Sequence, residues 1–404
     1  MEGDNMMRLK RQNRAALLRC LHRFGGLSRK RLAQELGLTP AAITKIASEL
    51  LAEGLIREDG PMASNAVGRR EITLTLNPGA RCALGVWLGL GRAVLSAVRL
   101  DGEVLFSETV DLAAPAQAEP TVRELSRRLL KLVSEHGIER ERILGLGIAV
   151  RGMIGKDART AVSSFGALDA ENFPLCERFE ALTGFPSVLS NNVRALFAAE
   201  LFFTREAQTD SVFFVRCASG IGAALAVRGQ ILSGSRGQCA EIGHIPVIRQ
   251  GGKPCHCGKS GCLETIASPA AITEDARALF SRERTPLLFA RTDGRRDAVT
   301  LNDVLDAAPG GDAGAAAITE RAVGAMANAL KTVVYLIDPA RIVLYGPIFD
   351  HPYFLSRLKA EMAIGVDAAH AVPMEKSRFN NALENKAAGL LAVAQFMEHG
   401  GLWE

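Results

Sequence analysis

Three cysteines, a histidine and two glutamates along residues 241–264 have types and spacing that suit metal chemistry. The segment Glu241-Ile242-Gly243-His244 is followed by Cys255-His256-Cys257-Gly258-Lys259-Ser260-Gly261-Cys262-Leu263-Glu264. His244, Cys255, Cys257 and Cys262 make a Cys₃His set, which closes a four-coordinate zinc and leaves no open position for a catalytic water. The spacing therefore predicts a structural Zn²⁺. Gly258 and Gly261 suit a tight turn around an ion. A loop pinned in this way would turn Glu241, His244 and Glu264 toward one pocket. Cys20, Cys82, Cys176, Cys217 and Cys239 are scattered and read as core residues.

The chain that must position this loop has 404 residues, enough for two or three domains. Its composition, 48% hydrophobic and 23% charged, is that of a globular protein. The charged start, Met1 to Arg14, is no secretory signal, and no apolar run reaches the length of a membrane span. Clustered metal-ligand cysteines fit a reducing compartment, so a cytoplasmic location is expected. The net charge of +4 is unevenly placed. Residues 1–75 carry 13 Lys and Arg against 8 Asp and Glu, which leaves the remainder near −1. Within 8–48 the only acid is Glu35. A small basic domain on a near-neutral large one points to a polyanionic partner.

The N-terminal pattern reads as a winged helix-turn-helix over residues 1–77. Asn13 is placed to cap a first helix with Leu17, Leu21 and Phe24 on one stripe, ended by Gly25-Gly26. Ser28 can cap a second, with Leu32, Ala33 and Leu36 inward, and Gly37-Leu38 forms the turn. Thr39-Pro40 opens a third helix in the preferred order of cap then proline. Its inward stripe is Ile43, Ile46, Ala47 and Leu50. Ala41, Ala42, Thr44, Lys45 and Ser48 face outward, short enough to lie deep in a major groove. After Gly54 the period changes to 2. Leu55 and Ile56 begin one strand of a two-stranded wing; Ile72, Leu74 and Leu76 alternate along the other. The loop between them runs from Asp59-Gly60-Pro61 to Val67-Gly68-Arg69-Arg70. Arg69 and Arg70 are placed to reach phosphates or a narrow minor groove.

The two halves of the metal segment, Glu-x-Gly-His and Cys-x-Cys-Gly-x-x-Gly-Cys-Leu-Glu, resemble the signature of the ROK family. That family comprises bacterial sugar kinases and sugar-responsive repressors. The resemblance extends over roughly residues 8–395. It takes in Ser28-Arg29, the run Leu32-Ala33-x-x-Leu36-Gly37-Leu38 and Gly68-Arg69-Arg70. It adds Ser28, Arg29 and Thr39 to the expected DNA-binding residues. By the same resemblance, Asn191, Asn192, Glu241, His244 and Glu264 match sugar-contacting positions. Carboxylates and amides of this kind hydrogen-bond to the neighbouring hydroxyls of a polyol.

Beyond Asn77-Pro78-Gly79, strand-like runs alternate with helical ones, which argues for α/β layers. Cys82–Val86, Ala93–Val98, Glu103–Thr109, Ile143–Val150, Val212–Val215 and Gly222–Val227 read as strands. Thr121–Glu135 and a segment after Val193 read as helices. The resemblance implies the duplicated, two-lobed actin-like ATPase fold of sugar kinases, closing on a cleft. Lobe one is expected at 80–190, with a last helix at 383–397 packing back on it, and lobe two at 191–380. Ala322–Val334 reads as a core helix. The acidic stretch near Asp303–Ala317 reads as surface.

Kinases of this family open with Asp-x-Gly-Gly-Thr; the matching run here is Val86-Trp87-Leu88-Gly89-Leu90-Gly91-Arg92. Trp87 stands where the acid would manage Mg²⁺ and phosphate. Ser219-Gly220-Ile221-Gly222-Ala223-Ala224 keeps part of the second phosphate turn, and Tyr345-Gly346-Pro347 replaces a Gly-Gly near the nucleotide. At the general base, Asn191-Asn192 replaces Asn-Asp, and a neutral amide cannot take the proton. Arg151-Gly152 replaces Pro-Gly near the sugar. The expectation is a sugar-responsive DNA-binding regulator and not an enzyme. It would be a repressor that binds operator DNA as a homodimer or dimer of dimers and leaves it when a carbohydrate binds. A DNA-binding protein governed by a protein partner, with an unused sugar pocket, and a residual sugar kinase are the alternatives.

Overall fold

The computed structural model describes residues 2–61, 71–164, 166–204, 210–365, 370–379 and 383–403. Arg69 and Arg70 lie outside these residues. The chain divides into two compact units, Met1–Glu206 with Ala382–Glu404, and Ala207–Asn381. The expected lobe boundary at 190/191 therefore moves to 206/207. The helix that follows Asn191 buries Ala195, Leu196, Phe197 and Ala199 within the first unit, and that packing fixes its membership.

The first unit opens with α1 (Glu2–Phe24), β1 (Leu27–Ser28), α2 (Arg29–Leu36), α3 (Pro40–Ala52), β2 (Ile56–Pro61) and β3 (Ile72–Leu76). Asn13 is not a cap, because α1 already runs from Glu2. Residues 6–9 are exposed, so apolar periodicity marks where α1 becomes buried and not where it begins. Phe24 is also exposed, with the Arg23 guanidinium 4.9 Å from its ring centroid. Ser28 caps α2 by accepting from Arg31 N, and Gly37 closes it in the left-handed region at φ 63°. Thr39 Oγ1 accepts from Ala42 N to cap α3. Ile43, Ile46, Ala47 and Leu50 are buried, as the stripe predicts. The sheet has three strands in the order β1-β3-β2, one more than expected. Leu27 and Ser28 are too short a run to show strand periodicity, and only pairing with Leu74 and Thr73 makes them a strand. Asp59, Gly60 and Pro61 belong to β2 and not to the loop.

The unit continues through β4 (Cys82–Leu88), β5 (Arg92–Arg99), β6 (Val104–Asp111), α4 (Ala118–Glu135), β7 (Ile143–Val150), β8 (Met153–Ile154), β9 (Ala161–Ser163), α5 (Leu175–Thr183), β10 (Ser187–Asn191) and α6 (Asn192–Phe203). Its main sheet has the order β10-β7-β4-β5-β6. β7 is parallel to β4 and β10, while β5 is antiparallel to β4 and β6. β4 and β7 are buried along their whole length, which is why they read as unbroken apolar runs.

The second unit contains β11 (Ser211–Cys217), β12 (Ile221–Val227), β13 (Gln230–Ile231), α7 (Glu264–Ala267), α8 (Pro269–Leu279), α9 (Pro286–Arg291), α10 (Leu301–Ala307), α11 (Ala313–Ile337), β14 (Arg341–Tyr345), α12 (Pro347–Asp350), α13 (Pro352–Ala363) and β15 (Met374–Lys376). Its sheet order, β13-β12-β11-β14-β15, repeats that of the first unit: an antiparallel meander followed by two parallel strands. Two such sheets with helices make the duplicated sugar-kinase architecture. In α11, Ala322, Val323, Met326, Ala327, Ala329 and Leu330 are core. Residues 303–317 are not simply surface. Asp312 is fully buried, accepting from Leu287 N and Leu288 N at 3.0 and 3.2 Å and capping α11 through Ala315 N at 3.0 Å. Its acidity is spent on orphan helix donors.

The last helix, α14 (Glu384–Glu398), returns to the first unit and packs across β4 and β7. Gly147 of β7 admits it, since a Cβ there would overlap the carbonyl of Ala388.

Candidate metal centre, carboxylate corner and recognition helix

The metal-ligand loop is built from backbone turns rather than regular elements. Cys255 N donates to Lys259 O at 2.8 Å and Gly258 N to Cys255 O at 3.0 Å, with Gly258 at φ 84°. Single antiparallel bridges join Pro254 to Ser260 and Pro246 to Cys262. This knuckle folds back on the short turn Ile242–His244. As a result His244, Cys255, Cys257 and Cys262 offer ligand atoms that all lie within 4.8 Å of one another. The Cys257 and Cys262 sulfurs are 3.6 Å apart, and His244 Nδ1 is 3.5 Å from Cys255 Sγ. Lys259 Nζ donates to His244 O at 2.9 Å and braces the histidine from its backbone.

Burial pushes the Cys262 thiol up to about 12, and it lifts Cys255 as well. For Cys257 burial also raises the pKa. Hydrogen bonds from the Lys259 backbone and the neighbouring thiols outweigh it, and the group sits below its usual range. Packed neutral thiols of this kind give up protons when they bind a cation.

Glu264 begins α7 directly after the knuckle. Its Oε2 accepts from Ile221 N at 2.9 Å, and its Oε1 lies 3.1 Å from His256 Nδ1. Gly220 permits this, because any Cβ there would collide with the carboxylate. The side chain is 14% exposed and held at both oxygens, so it presents a fixed acceptor with lone pairs to spare. His256 is a residue the sequence reading passed over; its place between two ligands was the only signal for it. The rings of His244 and His256 meet edge to face at 5.0 Å. His244, His256 and Glu264 also form a close group, which shares His244 with the cysteines. Glu241 is exposed one turn earlier, and its carbonyl accepts from His244 N at 3.1 Å.

In the first unit, Asn191 is the N-cap of α6. Its Oδ1 accepts from Val193 N at 2.8 Å and its Nδ2 donates to Gly152 O at 2.7 Å. The following residue, Asn192, is buried. Asn191 thus ties the start of α6 to the end of β7, where Arg151 also sits. Trp87 is 2% exposed in the middle of the sheet. An indole so placed is core packing and offers nothing to a cation or phosphate. Ile221 N, one of the donors of the second glycine turn, is engaged by Glu264. Tyr345 is buried against Phe214 with ring centroids 5.9 Å apart.

On α3, Thr39, Ala41, Thr44, Lys45 and Ser48 are exposed and Ala42 is partly so. Thr44 Oγ1 is occupied by Pro40 O at 2.8 Å. Arg29 pairs with Glu58 at 2.8 Å while remaining partly exposed. Ser28 is a correction to the expected DNA-facing set. It is 2% exposed, caps α2 and donates to Glu71, so it shapes the domain from inside.

A model described as the ROK family matches residues 83–399, and one described as the MarR family matches residues 11–58. The DNA-binding transcriptional dual regulator NagC of Escherichia coli (strain K12) is 29% identical over 350 residues, covering 86% of this chain and 83% of that protein. The DNA-binding transcriptional repressor Mlc of the same organism is 26% identical over 398 residues, covering 98% and 95%. A glucokinase of Thermotoga maritima is 28% identical over 265 residues, covering 66% and 81%. Among solved structures, a ROK family transcriptional regulator described as a homolog of the Escherichia coli Mlc protein superposes with a TM-score of 0.80. It is 24% identical, over 97% of this chain and 98% of the other, and shows the shared fold. Among the described residues no helix is long and apolar enough to cross a membrane.

Proposed function

Because the chain belongs to the ROK family and carries a MarR-type winged helix ahead of it, we propose that it is a sugar-responsive transcriptional regulator. It acts as a repressor that leaves its operator when a carbohydrate binds. The observation that carries this reading is Glu264, a carboxylate fixed by Ile221 N and His256 beside the cysteine knuckle. A fixed acceptor of this kind suits vicinal hydroxyls. Positions 87 and 192 hold a tryptophan and an asparagine, neither of which carries a charge with which to move a phosphoryl group. Homology to the repressors NagC and Mlc supports the same reading.

The metal is Zn²⁺, held by His244 Nδ1, Cys255, Cys257 and Cys262. A tetrahedral zinc with Zn–S near 2.3 Å and Zn–N near 2.0 Å separates its ligands by roughly 3.8 Å between sulfurs and 3.5 Å between sulfur and nitrogen. The separations of 3.6 and 3.5 Å fit it. A bound zinc supplies a fixed positive charge and a cross-link, and no catalysis. The residues around it do the recognition: Glu264 and Glu241 accept from sugar hydroxyls, and the second ring nitrogen of His244 donates. Asn191 and Asn192 remain sugar contacts on the grounds of their chemistry alone. On α3, Thr39, Ala41, Ala42, Thr44, Lys45 and Ser48 enter the major groove, Arg29 meets the backbone beside it, and Arg69 and Arg70 reach phosphates or the minor groove. The protein works as a homodimer or dimer of dimers in the cytoplasm. Sugar and operator prefer different states, and the coupling between them is reciprocal.

A thermal-shift screen tests this. Neutral hexoses, pentoses, N-acetylhexosamines, their 6-phosphates and sugar acids are compared on the native protein and on Glu264→Ala. A ligand at about a hundred times its Kd adds roughly 2.7 kcal/mol to the folded state. One class of sugar should raise the melting temperature of the native chain and leave Glu264→Ala unmoved, with DNA affinity near normal. A silent panel with zinc present and the protein folded would instead favour control by a protein partner. A response that survives in Glu264→Ala would place the sugar elsewhere.

A further inference from the structure

Arg14 is a charged residue buried to 3% exposure in a helix that the DNA-binding reading does not otherwise use. It lies on α1, and its guanidinium reaches two parts of the first unit at once. Nη1 and Nη2 donate to the two oxygens of Glu53 at 2.9 and 2.5 Å, and Nη1 also reaches Glu49 Oε2 at 3.3 Å. Glu49 lies in α3 and Glu53 is its C-cap. The third donor, Nε, is given to the carbonyl of Gly400 at 2.7 Å, in the turn that ends α14. Burial opposes the charge. The hydrogen bonds and attraction of Glu53, then Glu49, outweigh it and hold the guanidinium above its ordinary pKa.

The turn is shaped for this contact. Gly400 and Gly401 take φ of 71° and 84°. A Cβ on Gly400 would lie 2.7 Å from Arg11 O and 2.9 Å from the Arg14 Cβ. One on Gly401 would lie 2.8 Å from Leu55, where the wing begins. At its other end α14 starts with Glu384, paired to Arg92 of β5, and its body packs on β4 and β7. A second tie lies further along α1, where His22 Nε2 is 2.7 Å from Phe202 O in the last turn of α6. The N-cap of that helix, Asn191, donates to Gly152 O just beyond β7.

We infer that Arg14 is a positioning residue that clamps the recognition helix α3 to the turn after α14, the helix that packs on the first unit's main sheet. The orientation of α3 is then set by α14 and not by the winged helix alone. A planar fork with a bidentate partner on one side and a carbonyl on the other fixes direction as well as distance, which an ammonium would not. The inference rests on α3 being the DNA-reading helix.

The test uses the full-length chain and two readouts. Hydrogen–deuterium exchange follows the amides of the last turn of α3 and of residues 396–401. Fluorescence anisotropy follows a duplex that the native protein has selected from a random pool. Arg14→Gln is expected to speed exchange in both segments by about tenfold or more and to weaken the selected duplex by about tenfold. Gly400→Ala, which leaves the Arg14 fork and both glutamates in place but forces the turn after α14 away from Arg11 and Arg14, is expected to loosen α3 to a similar degree, and the double variant to be no worse than either. Rescue of part of the effect is expected from Arg14→Lys. If α3 exchanges within twofold of native in Gly400→Ala, or if the two changes add, the clamp is wrong. Should Arg14→Gln fail to fold, Glu53→Gln removes the same fork and is judged by the same criteria. If exchange responds as stated but the native protein selects no duplex, the DNA-binding reading falls and the clamp stands.

Discussion

The two five-stranded sheets have the same strand order and carry different chemistry. In the first unit, β4 carries Trp87 in its interior, packed at 2% exposure, and the strand is apolar throughout. In the second, β12 begins at Ile221, whose N–H holds a glutamate, and residues 244–264 carry three cysteines, two histidines and that same Glu264. A duplicated backbone thus supports a core in one copy and a polar site in the other. The backbone fixes where strands end, while side chains at those ends decide whether anything binds there.

The difference implies different supports, and metal removal should expose it most strongly. Chelation, or Cys262→Ser, is expected to strip one zinc per chain and lower the melting temperature by about 10 °C or more, given the free energy that structural zinc adds to folding. Calorimetry should resolve an early transition for the second unit and leave the first unit's transition in place. A single unshifted transition after metal analysis reads zero would show that the knuckle holds itself. The sign of the pH dependence follows from the thiols. Burial lifts Cys262 to about 12, and the ligand form is the thiolate, so acidification favours the thiol and zinc release should grow as pH falls.

Among the described residues neither candidate ligand group lies in the winged helix, and its supports are smaller and distributed. Thr39→Ala removes the cap on Ala42 N and is expected to cost about 1 kcal/mol in chemical denaturation. A loss as large as that caused by chelation would erase the contrast between the two supports. The smallest effect is expected from Asn192→Asp. Restoring a carboxylate at the base position leaves Trp87 where a phosphate-handling acid would be needed, so ATP-dependent phosphorylation of the panel sugars should stay at background. Turnover in that variant, or in the native chain, would sharpen the comparison in the opposite direction and make the first sheet a kinase half after all.

Much of this was legible beforehand, and the exceptions share a cause. The stripe on α3 and the runs of β4, β7 and β12 report burial on one or both faces, which periodicity records directly. Asn13 and the short strand Leu27–Ser28 failed because helix extent and strand pairing depend on neighbours in space. The candidate ligand cluster could be read because Cys-x-Cys-Gly-x-x-Gly-Cys brings three sulfurs close together in the chain. His256 was passed over because its partner, Glu264, lies across that turn. Ser28 is a DNA-facing position by family resemblance alone, and only the fold, which sets Glu71 against it, shows it buried.

The sequence by itself determined the classes of element, the local metal knuckle and the exposed face of α3, because each depends on residues within about one or two turns of one another. Only the tertiary structure decided that α6 belongs to the first unit, that Glu264 is held from β12, and that Arg14 joins α3 to the end of α14. Those contacts join residues 43 and 386 positions apart in the case of Glu264 and Arg14. No local pattern encodes such a pairing; each exists once its own unit has folded and brought distant segments side by side.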